Sequence, residues 1–176
     1  MIIGLSTATF TLIHVIISLI GIAAGLIVFA GLLRSEPRPG WTAIFLIFTI
    51  LTSATGFLFP IHGPTPALIV GVISLAVLAI TLLALYVFHM MHAWRWIYVV
   101  TALLALWFNC FVLVVQSFQK IAFLNALAPT QSEPPFLIAQ SFLLLAFVIF
   151  GFLAVRRFHP ELAAPRLAHD AQQQGR

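Results

Sequence analysis

The chain has 176 residues, of which 62% are hydrophobic and 7% are charged, and its formal net charge is +4. Soluble domains carry about 25% charged residues, so this composition excludes an ordinary water-soluble globule. The mean hydropathy is +1.16, and the apolar residues fall into runs that reach the roughly 20 residues needed to cross a bilayer. The sequence therefore predicts an all-α, polytopic membrane protein. Its basic residues lie at the ends of the runs, which indicates membrane topology and no nucleic-acid partner.

Five transmembrane helices are predicted in chain order. They cover about residues 10–33, 41–60, 66–90, 96–118 and 136–155. Polar or proline-containing turns separate them, and the longest turn, residues 119–135, includes the polar stretch APTQSEPP. Residues 159–176 are polar and are predicted to form a disordered tail. We expect one five-helix bundle over residues 1–158, followed by this tail.

The basic residues predict how the bundle is oriented. Five crossings place Lys120 on one side of the membrane and all the arginines on the other. The arginines are Arg34, Arg38, Arg95, Arg156, Arg157, Arg166 and Arg176. Because cytoplasmic segments are enriched in Lys and Arg, we expect the N-terminus outside, the C-terminus and its tail in the cytoplasm, and loop 119–135 on the exoplasmic side.

Small and hydroxyl-bearing residues share helical faces in the first two runs. Ser18, Gly21 and Gly25 are spaced by three and four residues, which is one face of a helix. Gly21 and Gly25 form a small-xxx-small pair, which allows another helix to approach closely. Thr52 and Gly56 share a face of the second helix. These residues are predicted to pack the helices against one another.

Amides and charges collect at the predicted exoplasmic end. They lie at the end of the fourth helix, in loop 119–135 and at the start of the fifth helix. An unpaired polar group in lipid costs several kcal/mol, so the polar face of the fourth helix is expected to point into the bundle. The predicted ligand- or partner-binding residues are Gln116, Gln119, Lys120, Gln131, Glu133 and Gln140.

Loop 119–135 is predicted to cover a polar vestibule between these residues. Lys120 and Glu133 have opposite charges and could pair across the loop. The stretch KIAFLNALAP is expected to form a short interfacial helix that stops at Pro129. A plain connecting loop is the alternative.

Histidines offer a second kind of site. A bis-histidine haem needs two histidines on different helices at matching depth, and His14 and His62 are the pair that meets this requirement. His89 and His92, near the end of the third run, share a predicted helical face and would hold a metal weakly. No cofactor is assigned, and haem b or a metal at His14 and His62 stays an alternative.

Catalytic patterns are missing from the sequence. The five runs contain no Asp or Glu, no motif joins a hydroxyl to a base, and the single cysteine, Cys110, lies in an apolar run. The function predicted first is a non-catalytic membrane protein that binds a partner or small ligand at the exoplasmic vestibule. A haem- or metal-binding redox protein and an oligomeric channel or carrier are the alternatives. The expected partners are the lipid bilayer and a membrane-protein complex or homo-oligomer.

Three stretches carry a resemblance: LVVQSFQKIAFLNALAPTQSEPPF, TSATGFLFP and WRWIYVVTALLALWFN. Together they resemble a group of small, uncharacterised multi-helix inner-membrane proteins of proteobacteria, over roughly residues 10–158. That family has no established activity, substrate or cofactor. The resemblance therefore implies a location in a bacterial cytoplasmic membrane and nothing about chemistry.

Overall fold

The structure, a computed structural model, describes Ile2, residues 4–59 and residues 66–160. The helices in this part of the chain are α1 (Thr7–Arg34), α2 (Pro39–Gly56), α3 (Pro66–Leu82), α4 (Trp94–Lys120), α5 (Ala122–Leu127) and α6 (Pro134–Arg157). No strand occurs within the described residues. The helices α1, α2, α4 and α6 are long and apolar enough to cross a membrane, and so is the span Leu68–Val87, in which α3 continues into a π-helical turn. The prediction of an all-α protein with five transmembrane-length helices is confirmed.

The helices differ from the predicted runs mainly at their ends. α4 extends past the predicted 96–118 in both directions, and α6 extends past 136–155 in both directions. A run of apolar residues marks the lipid core, whereas a helix continues wherever its backbone hydrogen bonds continue. The polar residues at the ends of α4 and α6 are therefore helical although they fall outside the apolar runs. The short helix α5 confirms the one expected before Pro129.

Two serines bound α1. Ser6 Oγ accepts a hydrogen bond from the backbone N–H of Thr9 at 3.1 Å, which is a side-chain N-cap. At the other end Ser35 has a φ of 59°, and the Glu36 N–H donates to the Gly31 carbonyl at 2.9 Å. A Cβ at Gly31 would lie 2.7 Å from the Glu36 carbonyl oxygen. The tight left-handed turn after α1 therefore requires glycine at that position.

α4 is the central helix of the bundle. Neighbouring helices contact in the order α1, α2, α3, α4, α6, with α6 returning to α1, and α4 also touches α1 and α2. Val99, Ala105 and Leu106 of α4 are at most 1% exposed. Among the five membrane-length helices α6 is the most peripheral, since Phe136 and Ala154 are its only buried residues.

The helices approach one another closely at Gly25 of α1. A Cβ there would lie 2.5 Å from Leu106 Cδ1 and 2.9 Å from Phe45 Cδ2. Leu106 and Phe45 are each 1% exposed, so the surrounding packing leaves them little room to move. A Cβ at Gly21, one turn earlier, would be in ordinary contact with Thr49 Oγ1 at 3.4 Å.

Two buried polar contacts join neighbouring helices. Asn109 Nδ2 of α4 donates to Thr49 Oγ1 of α2 at 3.2 Å. Ser53 Oγ of α2 donates to Ser74 Oγ of α3 at 3.2 Å. Both contacts lie in an apolar interior where water cannot replace a lost partner. They therefore fix how α2, α3 and α4 are rotated about their axes.

Polar contacts also close one end of the bundle. Arg95 Nη1 donates to the Val155 carbonyl at 3.2 Å and to the Phe158 carbonyl, so it caps the C-terminus of α6. The His159 backbone N–H donates to Ser35 Oγ at 2.8 Å. We call this the arginine end, and it contains Arg34, Arg38, Arg95, Arg156 and Arg157. The opposite end, which contains Lys120, is called the lysine end. Residues 161–176, most of the predicted tail, lie outside the described residues.

The end of α3 differs from the predicted helix over residues 66–90. Leu83–Val87 form a π-helical turn, and the helix stops there. His89, Met90 and His92 follow with φ values of 48°, 56° and 49°. Non-glycine residues in this left-handed region cost about 1 kcal/mol or more each. The chain between α3 and α4 is therefore a strained turn and not a helix end.

We expect Gly25→Ala to destabilise the bundle by about 1–3 kcal/mol, because the added methyl overpacks the contact with Leu106 and Phe45. Gly40→Ala is the matched control, since a Cβ at Gly40 would meet nothing within 4 Å. Thermal unfolding of the purified variants in detergent measures the difference. Equal melting temperatures for the two variants would contradict the close packing at Gly25.

Candidate functional site

Gln131 joins the loop between α5 and α6 to the last turns of α4. Gln131 Nε2 donates to the Val115 carbonyl at 3.2 Å, and Gln131 Oε1 accepts from Gln119 Nε2 at 3.4 Å. The backbone of Gln131 has a φ of 60°, which turns its side chain back toward α4. The structure thus brings together two of the predicted binding residues, Gln119 and Gln131.

A small apolar cluster beneath this loop holds it in place. Phe118 of α4, Ala128 of the loop and Phe136 of α6 are all buried and pack together. The rings of Phe118 and Phe136 meet edge to face, with centroids 5.4 Å apart. Asn125 Nδ2 of α5 also donates to the Phe118 carbonyl at 3.2 Å. The segment that follows α4 is therefore anchored to α4 and α6.

Glu133 is satisfied within its own loop. Its carboxylate accepts hydrogen bonds from the Thr130 hydroxyl at 2.9 Å, the Thr130 N–H at 3.1 Å and the Ser132 N–H at 3.1 Å. Desolvation raises the pKa of the Glu133 carboxyl, but the hydrogen bonds from Thr130, from its own backbone and from Ser132 outweigh it. The pKa of Glu133 therefore lies below its ordinary value. The expected pair with Lys120 does not form: among the described residues the ion pair is Arg38–Glu36.

Lys120 and two amides form an exposed row on the end of α4. Gln119 and Lys120 lie three and four residues after Gln116, so both neighbour it on one face of the helix. All three side chains are exposed, whereas the sequence predicted that this face points into the bundle. The helix end here lies beyond the packed core, so its polar groups can reach water or lipid headgroups without a cost.

The short helix α5 carries apolar side chains on its outer surface. Phe123 is 71% exposed, and Ile121 and Leu127 are also exposed. An exposed aromatic and aliphatic surface beside a lysine is typical of chain that lies at a membrane interface. The Gln116–Gln119–Lys120 row therefore lies beside residues suited to the headgroup region.

Gln140 lies deeper, between α6 and α4. Its Nε2 donates to the Phe111 carbonyl at 3.2 Å, and it makes no contact with the Gln116–Gln119–Lys120 row among the described residues. Gln140 Oε1 and Trp107 Nε1 are buried and have no hydrogen-bond partner in the described part of the chain. Buried unpaired groups of this kind are uncommon in proteins. Sequence reasoning missed Trp107 because an indole in an apolar run gives no sign of whether its N–H is paired.

His14 is held by the end of α2. His14 Nδ1 lies 2.8 Å from Thr55 Oγ1, and Thr55 donates its own hydroxyl proton to the Leu51 carbonyl at 2.6 Å. Nδ1–H must therefore be the donor, which leaves the lone pair of a neutral ring on Nε2. The ring of Phe59 packs edge-on against His14 at 5.2 Å. His62, the second predicted haem ligand, lies outside the described residues.

The predicted packing residues near His14 lie where α1 and α2 meet. Ser18 Oγ donates to the His14 carbonyl at 2.7 Å, and Thr52 Oγ1 donates to the Phe48 carbonyl at 2.9 Å. Each hydroxyl is thus satisfied within its own helix and not across the interface. A Cβ on Gly56 would lie 3.9 Å from His14 Cε1, so Gly56 borders the histidine ring.

The described residues contain no group of three or more His, Cys, Asp or Glu side chains that could hold a metal ion. His89 and His92 do not share a helical face, because both lie in the left-handed turn after α3. Cys110 is buried in the main core and forms no disulfide.

The comparisons with known proteins give no indication of function. No protein-family model matches the chain, and neither the curated proteins nor the solved structures give a match. The resemblance to a proteobacterial family stays a prediction from the residues.

We expect the loop contacts of Glu133 to be lost in acid. Because the pKa of Glu133 is lowered by folding, the carboxylate stabilises the loop fully above its ordinary value of 4.5. This stabilisation is lost as the pH falls through the lower, folded-state pKa. The NMR shifts of the Thr130 and Ser132 amides should move together over that acid range.

Glu133→Gln should move the same two amide resonances at neutral pH, because an uncharged amide is a weaker acceptor than a carboxylate. Glu36→Gln, at the other end of the bundle, is the control and should leave them unchanged. Amide resonances of Thr130 and Ser132 that are the same in Glu133→Gln as in the wild type would contradict this assignment.

Proposed function

We propose that this protein is a non-catalytic, multi-pass protein of the bacterial cytoplasmic membrane that binds a partner or small ligand at its outer face. The binding group on the partner or ligand is an anion, either a phosphate or a carboxylate. The site is the Gln116–Gln119–Lys120 row on the last turn of α4. The observation that carries the proposal is that Lys120 is exposed and forms no ion pair with Glu133. Glu133 is the acidic residue that the sequence predicts as its partner, and its carboxylate is already hydrogen-bonded within its own loop.

The orientation rests on the charge distribution. The described arginines all lie at the arginine end, and Lys120 is the only lysine in the chain. The positive-inside rule then places the arginine end in the cytoplasm and the lysine end outside. In this orientation the N-terminus is outside, and Lys120 and the loop after it face the exoplasmic space.

The chemistry of the row suits an anion better than a neutral ligand. An ammonium group is a strong point charge with three donors, and Gln116 beside it offers amide donors on the same face. The Glu133 carboxylate accepts three hydrogen bonds from its own loop and forms no ion pair with Lys120, so it does not occupy the ammonium group. Phosphate could come from a lipid headgroup or from a soluble molecule, and the test must separate the two sources.

The test is anion binding by native mass spectrometry of the purified protein in a neutral detergent. The probes are phosphatidylglycerol, phosphatidylethanolamine and inorganic phosphate. We expect Lys120→Gln to weaken one anion site by roughly two- to fivefold, the range of a single exposed ion pair, and Lys120→Arg to retain it. Loss of phosphatidylglycerol alone identifies a lipid headgroup, and loss of inorganic phosphate identifies a soluble group.

Arg156→Gln is the matched control, because it removes one exposed cation from the arginine end. It should leave the Lys120-dependent anion site intact. The proposal fails if Lys120→Gln binds all three probes as tightly as the wild type.

A second candidate function is supported by the geometry of His14. The hydrogen bond from His14 Nδ1 to Thr55 leaves Nε2 as the free nitrogen, and hydrogen bonding of the second nitrogen is how proteins orient a ligating histidine. This arrangement suits a redox protein in which His14, with His62, ligates haem b or a metal.

For this second function we expect the purified protein to show a Soret band and a reduced alpha band. His14→Gln should remove both bands, and Thr55→Val should weaken them because the ring loses its orienting partner. His159→Gln is the control histidine and should leave the spectrum unchanged. A colourless protein that contains no metal would eliminate this function.

A further inference from the structure

A polar cleft of about 390 Å³ opens at the arginine end of the bundle. It lies at the turn between α3 and α4, where the sequence reads HMMH over residues 89–92. The cleft is lined by Met90, Met91, His92 and Arg95. Two methionines and one histidine therefore border the same space, within three consecutive residues.

The backbone of this turn explains why neighbouring side chains share one cleft. In an α-helix, consecutive side chains point about 100° apart. Here Met90 and His92 both have left-handed φ values, and the Met90 N–H donates to the Ala84 carbonyl at 2.9 Å while the Met91 N–H donates to the Phe88 carbonyl at 2.9 Å. Left-handed non-glycine residues and π-helical turns are both found disproportionately at functional sites.

The turn is also fixed in space. The rings of Phe88 and Trp94, on either side of it, stack with centroids 3.8 Å apart and an interplanar angle of 4°. Met90 packs against the main core, so one wall of the cleft belongs to the rigid part of the bundle. Met91 and His92 are exposed, which leaves the donors accessible to an ion from solution.

The donor set selects for a soft cation. Thioethers prefer Cu(I), and imidazole is a good copper ligand, whereas magnesium, calcium and manganese prefer carboxylate and carbonyl oxygens. Thioethers and an imidazole that binds a metal are uncharged ligands, so they bring no negative charge to the ion. A site of neutral ligands favours a singly charged ion over a doubly charged one, because less charge has to be compensated.

Arg95 strengthens this preference for a single charge. Its guanidinium donates to the Val155 and Phe158 carbonyls, and so it compensates the negative end of α6. It still places a positive charge at one wall of the cleft. The guanidinium would repel a doubly charged ion in the cleft more strongly than a singly charged one.

We propose that the turn formed by residues 88–94 binds Cu(I) through Met90, Met91 and His92. Ag(I), which is also soft and singly charged, binds at the same place. The site is independent of the anion site at the lysine end and of His14, because it lies at the opposite end of the bundle. No electron transfer is involved, since the ion is bound in its reduced form.

The test is competition for Cu(I) between the full-length protein in detergent and bicinchoninate, under ascorbate and without oxygen. The wild type should withdraw one Cu(I) per chain from the chelator. The double variant Met90→Leu with Met91→Leu should bind Cu(I) at least about tenfold more weakly. Loss of a residue that only supports a metal ligand already lowers metal affinity by about tenfold or more, and the loss of two ligands should cost at least as much. Leucine conserves the side-chain volume, so the core contact of Met90 survives.

Controls separate this site from the other histidines. His92→Gln should weaken Cu(I) binding, whereas His14→Gln and His159→Gln should leave it unchanged. Sulfur scattering in the X-ray absorption spectrum of the Cu(I)-loaded protein should disappear in the double methionine variant. Wild-type affinity in that variant, with its melting temperature preserved, would overturn the proposal, as would a wild type that takes no Cu(I) from the chelator.

Zn(II) gives a further check on the charge argument. It should bind this cleft much more weakly than Cu(I), because the site offers no carboxylate or thiolate. A Zn(II) affinity that matches Cu(I) and depends on Met90 and Met91 would contradict a soft, singly charged site.

Discussion

The rule that governs this structure is that a polar group in a lipid interior must find its partner within the protein. Hydrophobic burial alone cannot orient helices that are apolar on all sides, because lipid solvates those sides as well as another helix does. The bond from Asn109 to Thr49 and the bond from Ser53 to Ser74 supply that orientation for α2, α3 and α4. Close packing of α1 against α2 and α4 at Gly25 then completes the core.

The sequence predicts the helices well because their signal is a length of apolar chain, which depends on the bilayer and not on neighbouring residues. Local details depend on competition between partners, which composition cannot resolve. Lys120 and Glu133 were paired on charge alone, yet Glu133 accepts hydrogen bonds from Thr130 and Ser132. Those partners are close in the chain, so bonding to them orders less chain than an ion pair across the whole loop would.

The turn after α3 could not be predicted for a different reason. In a sequence, a left-handed backbone conformation is normally indicated by glycine or asparagine, and HMMH contains neither. His89, Met90 and His92 adopt it because tertiary contacts, the Phe88–Trp94 stack among them, hold the chain there. The sequence predicts that His89 and His92 share a helical face and would hold a metal weakly. Only the structure shows that the two methionines between them line one cleft.

α4 connects these features, because one continuous helix carries Arg95 at one end and Lys120 at the other. α6 depends on both ends of α4, since it buries little surface along its length. At the lysine end Phe136 packs on Phe118, and at the arginine end Arg95 caps the last carbonyls of α6. Between these ends Gln140 is the polar residue of α6 that bonds to α4. The position of α6 therefore rests on contacts near both ends of α4, on the Gln140 bond and on apolar contacts along its length, such as the stack of Phe147 on Phe29. The proposed anion and Cu(I) sites lie beside the end contacts.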